Sequence, residues 1–80
     1  MPHVDVTARR RIDIVMSAWA GLVKADQLAE RHGVQPRTIY RDVVHLRESG
    51  IPIRGEAGVG YLMPSNPLRA IERNLEQMGR

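Results

Sequence analysis

No cysteine occurs among the 80 residues, which excludes a disulfide framework and a zinc-thiolate centre and permits a reducing cytoplasm. Histidine is scarce too. His3, His32 and His45 are the only three, and no two stand three or four positions apart, so the ligand spacing of a metal site is missing. No apolar run approaches the roughly eighteen residues of a membrane span, and the N-terminus lacks the basic-then-apolar order of a signal peptide. A soluble, cytoplasmic protein without a membrane partner is expected. Eighty residues make one small domain with little room for an enclosed catalytic pocket. No nucleophile, base and orienting group converge at a workable spacing, so neither an enzyme nor a cofactor is expected.

What is present is a modest excess of positive charge, twelve basic residues against nine acidic ones for a net +3, and a pI near 10.2. Many ordinary domains are mildly basic, so the placement of the charge has to decide its meaning. Residues 24–47 hold five basic residues against three acidic ones, a local +2. Within them begins the stretch Gln35 to Gly50, QPRTIYRDVVHLRESG. Pro36 pre-sets the first helical turn, and Gly50 stands where a left-handed residue would end it. At 100° per residue Ile39, Val43 and Leu46 share one face, and Arg37, Thr38, Arg41 and His45 gather on the opposite one. The first face calls for a core and the second for an anionic partner.

Residues 1–6 show no period and contain a proline, which predicts a flexible N-terminal lead. Thr7 can cap a first helix running to about Ala20, with its hydroxyl accepting from a free amide. Ile12, Val15, Met16 and Trp19 fall at i, i+3, i+4 and i+7, the stripe of an amphipathic helix, and Trp19 reads as a core anchor. Ile14 lies off that stripe and is a patch for another helix to cover. Arg9, Arg10 and Arg11 stand at the helix start, where the dipole disfavours cations, so they form either a solvated cluster or phosphate contacts.

Gly21 ends this helix, and Leu22 and Val23 make a short apolar connection. A second helix is predicted from about Ala25 to His32, with Leu28 and Ala29 inward and Asp26 and Glu30 outward. Lys24 occupies its cap position, where the absence of a Ser, Thr or Asp costs roughly 0.5–2 kcal/mol unless packing compensates. Asp26 offsets part of that through the dipole. His32, Gly33 and Val34 then turn the chain, Gly33 as a residue at positive φ and Val34 as an apolar plug between helices. A short helix, a Gly-containing turn and a second helix with a basic outer face make a helix-turn-helix.

After Gly50 the period changes. Ile51 to Arg54 and Gly60 to Met63 read as two short strands around a glycine-rich turn, a wing following the recognition helix. A phosphate-loop role for GEAGVG fails on context, because a strand and a proline follow the glycines where a phosphate site needs a helix N-terminus. A last helix starts with Asn66 as cap and Pro67 at its first position. Its Leu68, Ile71, Leu75 and Met78 form the seam of a helix that packs on one partner. Either it folds back on its own domain or it pairs with a copy of itself. The expected architecture is mainly α with a small β-hairpin. It divides into a lead over 1–6, a winged helix-turn-helix over 7–63, and a C-terminal helix over 64–80 that serves as a dimerisation element or the start of a linker.

The segment KADQLAERHGVQPRTIYRDVVHLRESGIPIRGEAGVGYLM closely resembles the N-terminal winged helix-turn-helix domain of WYL-domain and DeoR-type bacterial transcriptional regulators, a pattern shared by the biotin operon repressor. The order and spacing of TIYRDV, LRESGIPI and GVGY carry the resemblance, which covers about two thirds of the chain. Two positions depart from the family, which usually has Ser or Thr in place of Lys24 and Ser in place of Gln35. Family members also usually continue into a ligand-binding or oligomerisation domain, so an effector domain or ligand is not expected within these 80 residues.

The resemblance implies sequence-specific binding of double-stranded DNA, with the helix over 36–49 in the major groove and the wing over 51–63 on the backbone or in the minor groove. The first turn of a recognition helix lies nearest the base edges, which makes Gln35, Arg37, Thr38 and Arg41 the candidates for base readout. Tyr40, His45, Arg47, Arg54 and the Arg9 to Arg11 cluster are candidates for the phosphate backbone, with Tyr40 half in the core. Asp42 would orient a neighbouring arginine, such as one of that cluster. One such domain touches few bases, so a homodimer on a palindromic operator is expected. The competing class is a winged helix that docks proteins and binds no DNA.

Overall fold

The computed structural model describes residues 5–64 and 67–79. Helices α1 (Val6–Ala20), α2 (Ala25–His32) and α3 (Pro36–Glu48) precede a hairpin of β1 (Arg54–Glu56) and β2 (Gly60–Leu62), and α4 (Pro67–Met78) follows. This is the mainly helical winged architecture expected from the sequence.

Helix α1 begins one residue earlier than its predicted cap. The Asp5 carboxylate, not the Thr7 hydroxyl, is the capping acceptor, taking the Thr7 amide at 3.0 Å. A carboxylate there answers both the unpaired amides and the helix dipole. Asp5 and Val6 therefore belong to the helix, and the rest of the predicted lead, residues 1–4, lies outside the described residues.

The buried line of α1 is Arg10, Ile14 and Ala18, four residues apart. This corrects three of the four residues of the predicted stripe, since Ile12 is 60%, Met16 50% and Trp19 44% exposed and Ile14 is fully covered, while Val15 packs against the core as expected. Trp19 is not a core anchor. The periodicity was equally regular in either phase, and the core takes the one that brings small residues together. Ala18, Ala25 and Ala29 are all buried beside Leu28, Ile39 and Val43. Short side chains let helix axes approach closely, and each large aliphatic closed in behind them contributes about 1.5–3 kcal/mol.

The turn between α2 and α3 follows its residues. Gly33 adopts φ 63°, and the Val34 amide reaches the Ala29 carbonyl at 3.0 Å, the six-residue closure of a Schellman cap. Val34 is packed against the core as the predicted plug. Lys24 gives α2 no side-chain cap. Gln27 supplies part of one from the other side, its side-chain oxygen accepting the Lys24 amide at 3.0 Å. Helix α3 buries Ile39, Asp42, Val43 and Leu46 and starts at Pro36 as expected. It closes on the same device as α2, with Gly50 at φ 91° and the Ile51 amide on the Leu46 carbonyl at 3.0 Å.

The first wing strand starts later than predicted. Pro52 has no amide to give, and the Ile53 amide turns back to the Ile51 carbonyl at 2.9 Å, so residues 51–53 form a connection with Ile53 buried in the core. The hairpin is antiparallel, pairing Arg54 with Leu62, Gly55 with Tyr61 and Glu56 with Gly60. Gly55 cannot carry a side chain. Its φ is 120°, and a Cβ there would lie 1.9 Å from the Gly60 carbonyl oxygen.

The predicted connection at Leu22 and Val23 is more than a link. Val23 and Tyr61 exchange backbone hydrogen bonds of 2.9 and 2.7 Å, and the Met63 amide donates to the Ala18 carbonyl at 2.9 Å. The first pins β2 to the connection between α1 and α2, and the second pins the residue after it to the end of α1. In α4, Leu75 and Met78 are 61% and 82% exposed, so this end of the seam does not fold back on the domain, and Ile14 is covered by the core. The predicted cap Asn66 lies outside the described residues.

Candidate nucleic-acid interface

The structure divides the arginines into those bound within the fold and those left at its surface. Asp42, with a side chain only 2% exposed, receives Arg10 and Arg11. Arg10 donates through Nε to Oδ2 and through Nη2 to Oδ1 at 3.2 Å, and Arg11 Nε donates to Oδ1 at 3.0 Å. Burial alone would push the Asp42 carboxyl up, but the bonds from Arg10 and then Arg11 outweigh it and hold the carboxyl below its ordinary range. The expected pairing of Asp42 with an arginine of the cluster is present, and it takes two of the three. Arg10 is thereby corrected from a surface phosphate contact to a buried tie between α1 and α3. Arg11 serves the same tie from the edge, and Arg9 is exposed.

Arg47 is likewise occupied. Its Nε donates to the Ile53 carbonyl and its Nη2 to the Gly55 carbonyl, both at 2.9 Å. Its guanidinium carbon lies 5.9 Å from the centre of the Tyr61 ring. This residue, assigned from sequence to the DNA backbone, fastens the wing to α3. Arg31 bonds Asp13 at 2.8 Å, while His32 Nε2 stands 2.6 Å from the same carboxylate and the Ser17 hydroxyl bonds it at 3.2 Å. Burial pushes Asp13 up, and the hydrogen bonds from His32 and Arg31 more than reverse it. This clamp between α1 and α2 was missed in the sequence, where its members lie up to 19 positions apart.

On the outer side of α3 the picture is the opposite. Gln35, Arg37, Arg41 and His45 are exposed and Thr38 is half-buried. Among the described residues none of these side chains has an internal hydrogen bond or ion pair. Two guanidiniums four residues apart on one face, each with its full fork of donors open, can engage guanine edges or phosphates. Tyr40 is half-buried against the core as expected. Val44, 51% exposed, lies beside Arg37 on the side away from Arg41, and Glu48, also exposed, falls between the two arginines around the helix axis; neither was weighed in the sequence, although the same 100° steps place them there. On the wing Arg54 and Glu56 are exposed, as is Val59 near the tip.

Among the described residues there is no group of three or more His, Cys, Asp or Glu that could hold a metal ion, and no helix is long and apolar enough to cross a membrane. No curated protein and no solved structure matches the chain. A protein family does match, under the description HTH domain, over residues 12–62. That span runs from within α1 through the helix-turn-helix to the end of β2. The chain, with its paired helices, Gly33 turn and wing, belongs to the HTH domain family of DNA-binding domains.

Proposed function

We propose that this protein binds double-stranded DNA sequence-specifically as a bacterial, cytoplasmic transcriptional regulator of the WYL-domain or DeoR type. Helix α3 enters the major groove, and the wing meets the backbone or the minor groove. One observation carries the proposal. Arg37 and Arg41 stand exposed on the outer face of α3, in a fold where Arg10, Arg11, Arg31 and Arg47 are all engaged internally. Gln35, Arg37, Thr38 and Arg41 read base edges, with a bidentate arginine-guanine contact worth about 1–3 kcal/mol of discrimination. Arg9, Tyr40, His45 and Arg54 contact phosphates. Arg10, Arg11 and Arg47 act indirectly, by holding α1, α3 and the wing in one arrangement.

Two copies bind a palindromic operator, since a single domain reads too few bases for useful affinity. Titration against random duplex at two salt concentrations tests the DNA-binding claim. Affinity should fall steeply as salt rises, because every phosphate neutralised releases counterions. Absent or salt-independent binding would instead identify a protein-docking winged helix.

A further inference from the structure

Val44 is the one large apolar residue of α3 that neither the core nor the helix accounts for. It is 51% exposed, whereas Ile39, Val43 and Leu46 of the same helix are buried and Tyr40 is packed against the core. Helix propensity does not favour it either, since a β-branched side chain is a poorer choice than alanine or a long charged one at an exposed helical position. Its place around the axis gives it a meaning. At 100° per residue Val44 falls between Tyr40 and Arg37, and it stands about 4.5 Å along the axis from Arg41, so it is set into the same outward face as the free guanidiniums. The apolar groove beside α1, lined by Arg11, Ile12, Val15, Met16, Leu46 and Ile51, is a separate feature. Its α3 member, Leu46, points about 160° away from Val44.

We propose that Val44 reads the C5-methyl group of a pyrimidine, thymine or 5-methylcytosine, in the major groove. This deepens the proposed function and rests on its placing of α3 in that groove. The chemistry of the base edges selects the ligand. The groups that distinguish base pairs in the major groove are hydrogen-bond donors and acceptors, with the C5-methyl as the apolar exception. A valine has nothing to give a donor or an acceptor, and covering one without pairing it is costly, so Val44 favours a methylated edge and disfavours the others.

The side chain is also prepared for such a contact. Valine in a helix is held close to one χ1 rotamer, so its methyls are in place before DNA arrives and little rotamer freedom is lost on binding. The charges nearby point the same way. Arg41, one turn back, and Arg37, two turns back, supply the polar reading of neighbouring bases. Glu48, exposed one turn further on, repels phosphate and so disfavours seating this side of α3 on the backbone.

The test changes single methyl groups in DNA. In the duplex recovered with the full chain from a random library, each thymine is replaced in turn by uracil, which removes only the methyl, and each cytosine by 5-methylcytosine, which only adds one. At one position of each half-site the methylated base should bind about three- to fivefold tighter, as expected for burying one methyl. Val44→Ala, with its helix content checked by circular dichroism, should bind the two forms equally there and keep the salt dependence. Whether the wild type binds thymine or 5-methylcytosine more tightly at that position identifies the source of the methyl. The absence of any position at which a methyl raises affinity would overturn the proposal, as would a methyl preference that survives in Val44→Ala. Salt-dependent binding that ignores the methyl removes this contact and leaves DNA binding standing, whereas no binding to any duplex overturns both.

Discussion

Asp42 is the residue that fixes α3 in place, because its buried carboxylate holds two arginines of α1 against α3. A buried charge left without any partner is costly, so Arg10→Ala together with Arg11→Ala should destabilise the fold by about 3–5 kcal/mol in chemical denaturation, and Arg10→Ala alone by less, because Arg11 still bonds Asp42. The pH dependence has a defined sign. Asp42 and Asp13 both have carboxyls lowered by folding, so their pairing stabilises fully above the ordinary aspartate pKa of about 3.9 and is lost as pH falls through that value and below. Thermal unfolding between pH 6 and pH 3 should show this decline, and Asp42→Asn should flatten it while lowering stability at neutral pH. Arg41 belongs to the other class. Arg41→Ala should leave thermal stability within about 0.5 kcal/mol, as for a surface substitution away from special features, yet relax discrimination at one base position by about 1–3 kcal/mol.

At the scale of elements, the turn residues carried most of what could be read in advance. Gly33, Pro36 and Gly50 each have a conformational role that few other residues fill, so the helix-turn-helix and the basic face of α3 were legible. Helix α1 was legible as a helix but not in its orientation. Bulk pointed to Ile12, Met16 and Trp19, whereas the core selected Ile14 and Ala18, where small residues allow close packing. The wing was legible as a hairpin but not in its extent, because Pro52 delays β1 and only the folded chain brings Val23 beside Tyr61. Long-range ties such as His32 to Asp13, 19 positions apart, leave no periodic signature, whereas the pairing of Asp42 with the α1 arginines was expected from its unfavourable place beside an anionic partner. The contact from Arg47 to the wing yields its own expectation. Arg47→Ala should lower the melting temperature and weaken binding to all duplexes alike, whereas Arg41→Ala should change only the preference among them. Gly55→Ala should disrupt the wing, since the new methyl would meet the Gly60 carbonyl, and hydrogen exchange at the Tyr61 amide should report the loosening.

For the whole molecule, the free arginines of α3 and the apolar groove beside α1 are formed by different residues. Arg37 and Arg41 lie on the outer side of α3, and the apolar face of α1 lies with the groove at Leu46 and Ile51. The most direct test is to select bound sequences from a random duplex library with the full 80-residue chain. An inverted repeat should emerge, with guanines at the positions facing Arg37 and Arg41 and half-site centres about 10–10.5 base pairs apart or a multiple of that. The same selection with Arg41→Ala should lose one position in each half-site. Recovery of no enriched sequence, or of the same sequence by the variant, would contradict the assignment of α3 as the reading helix.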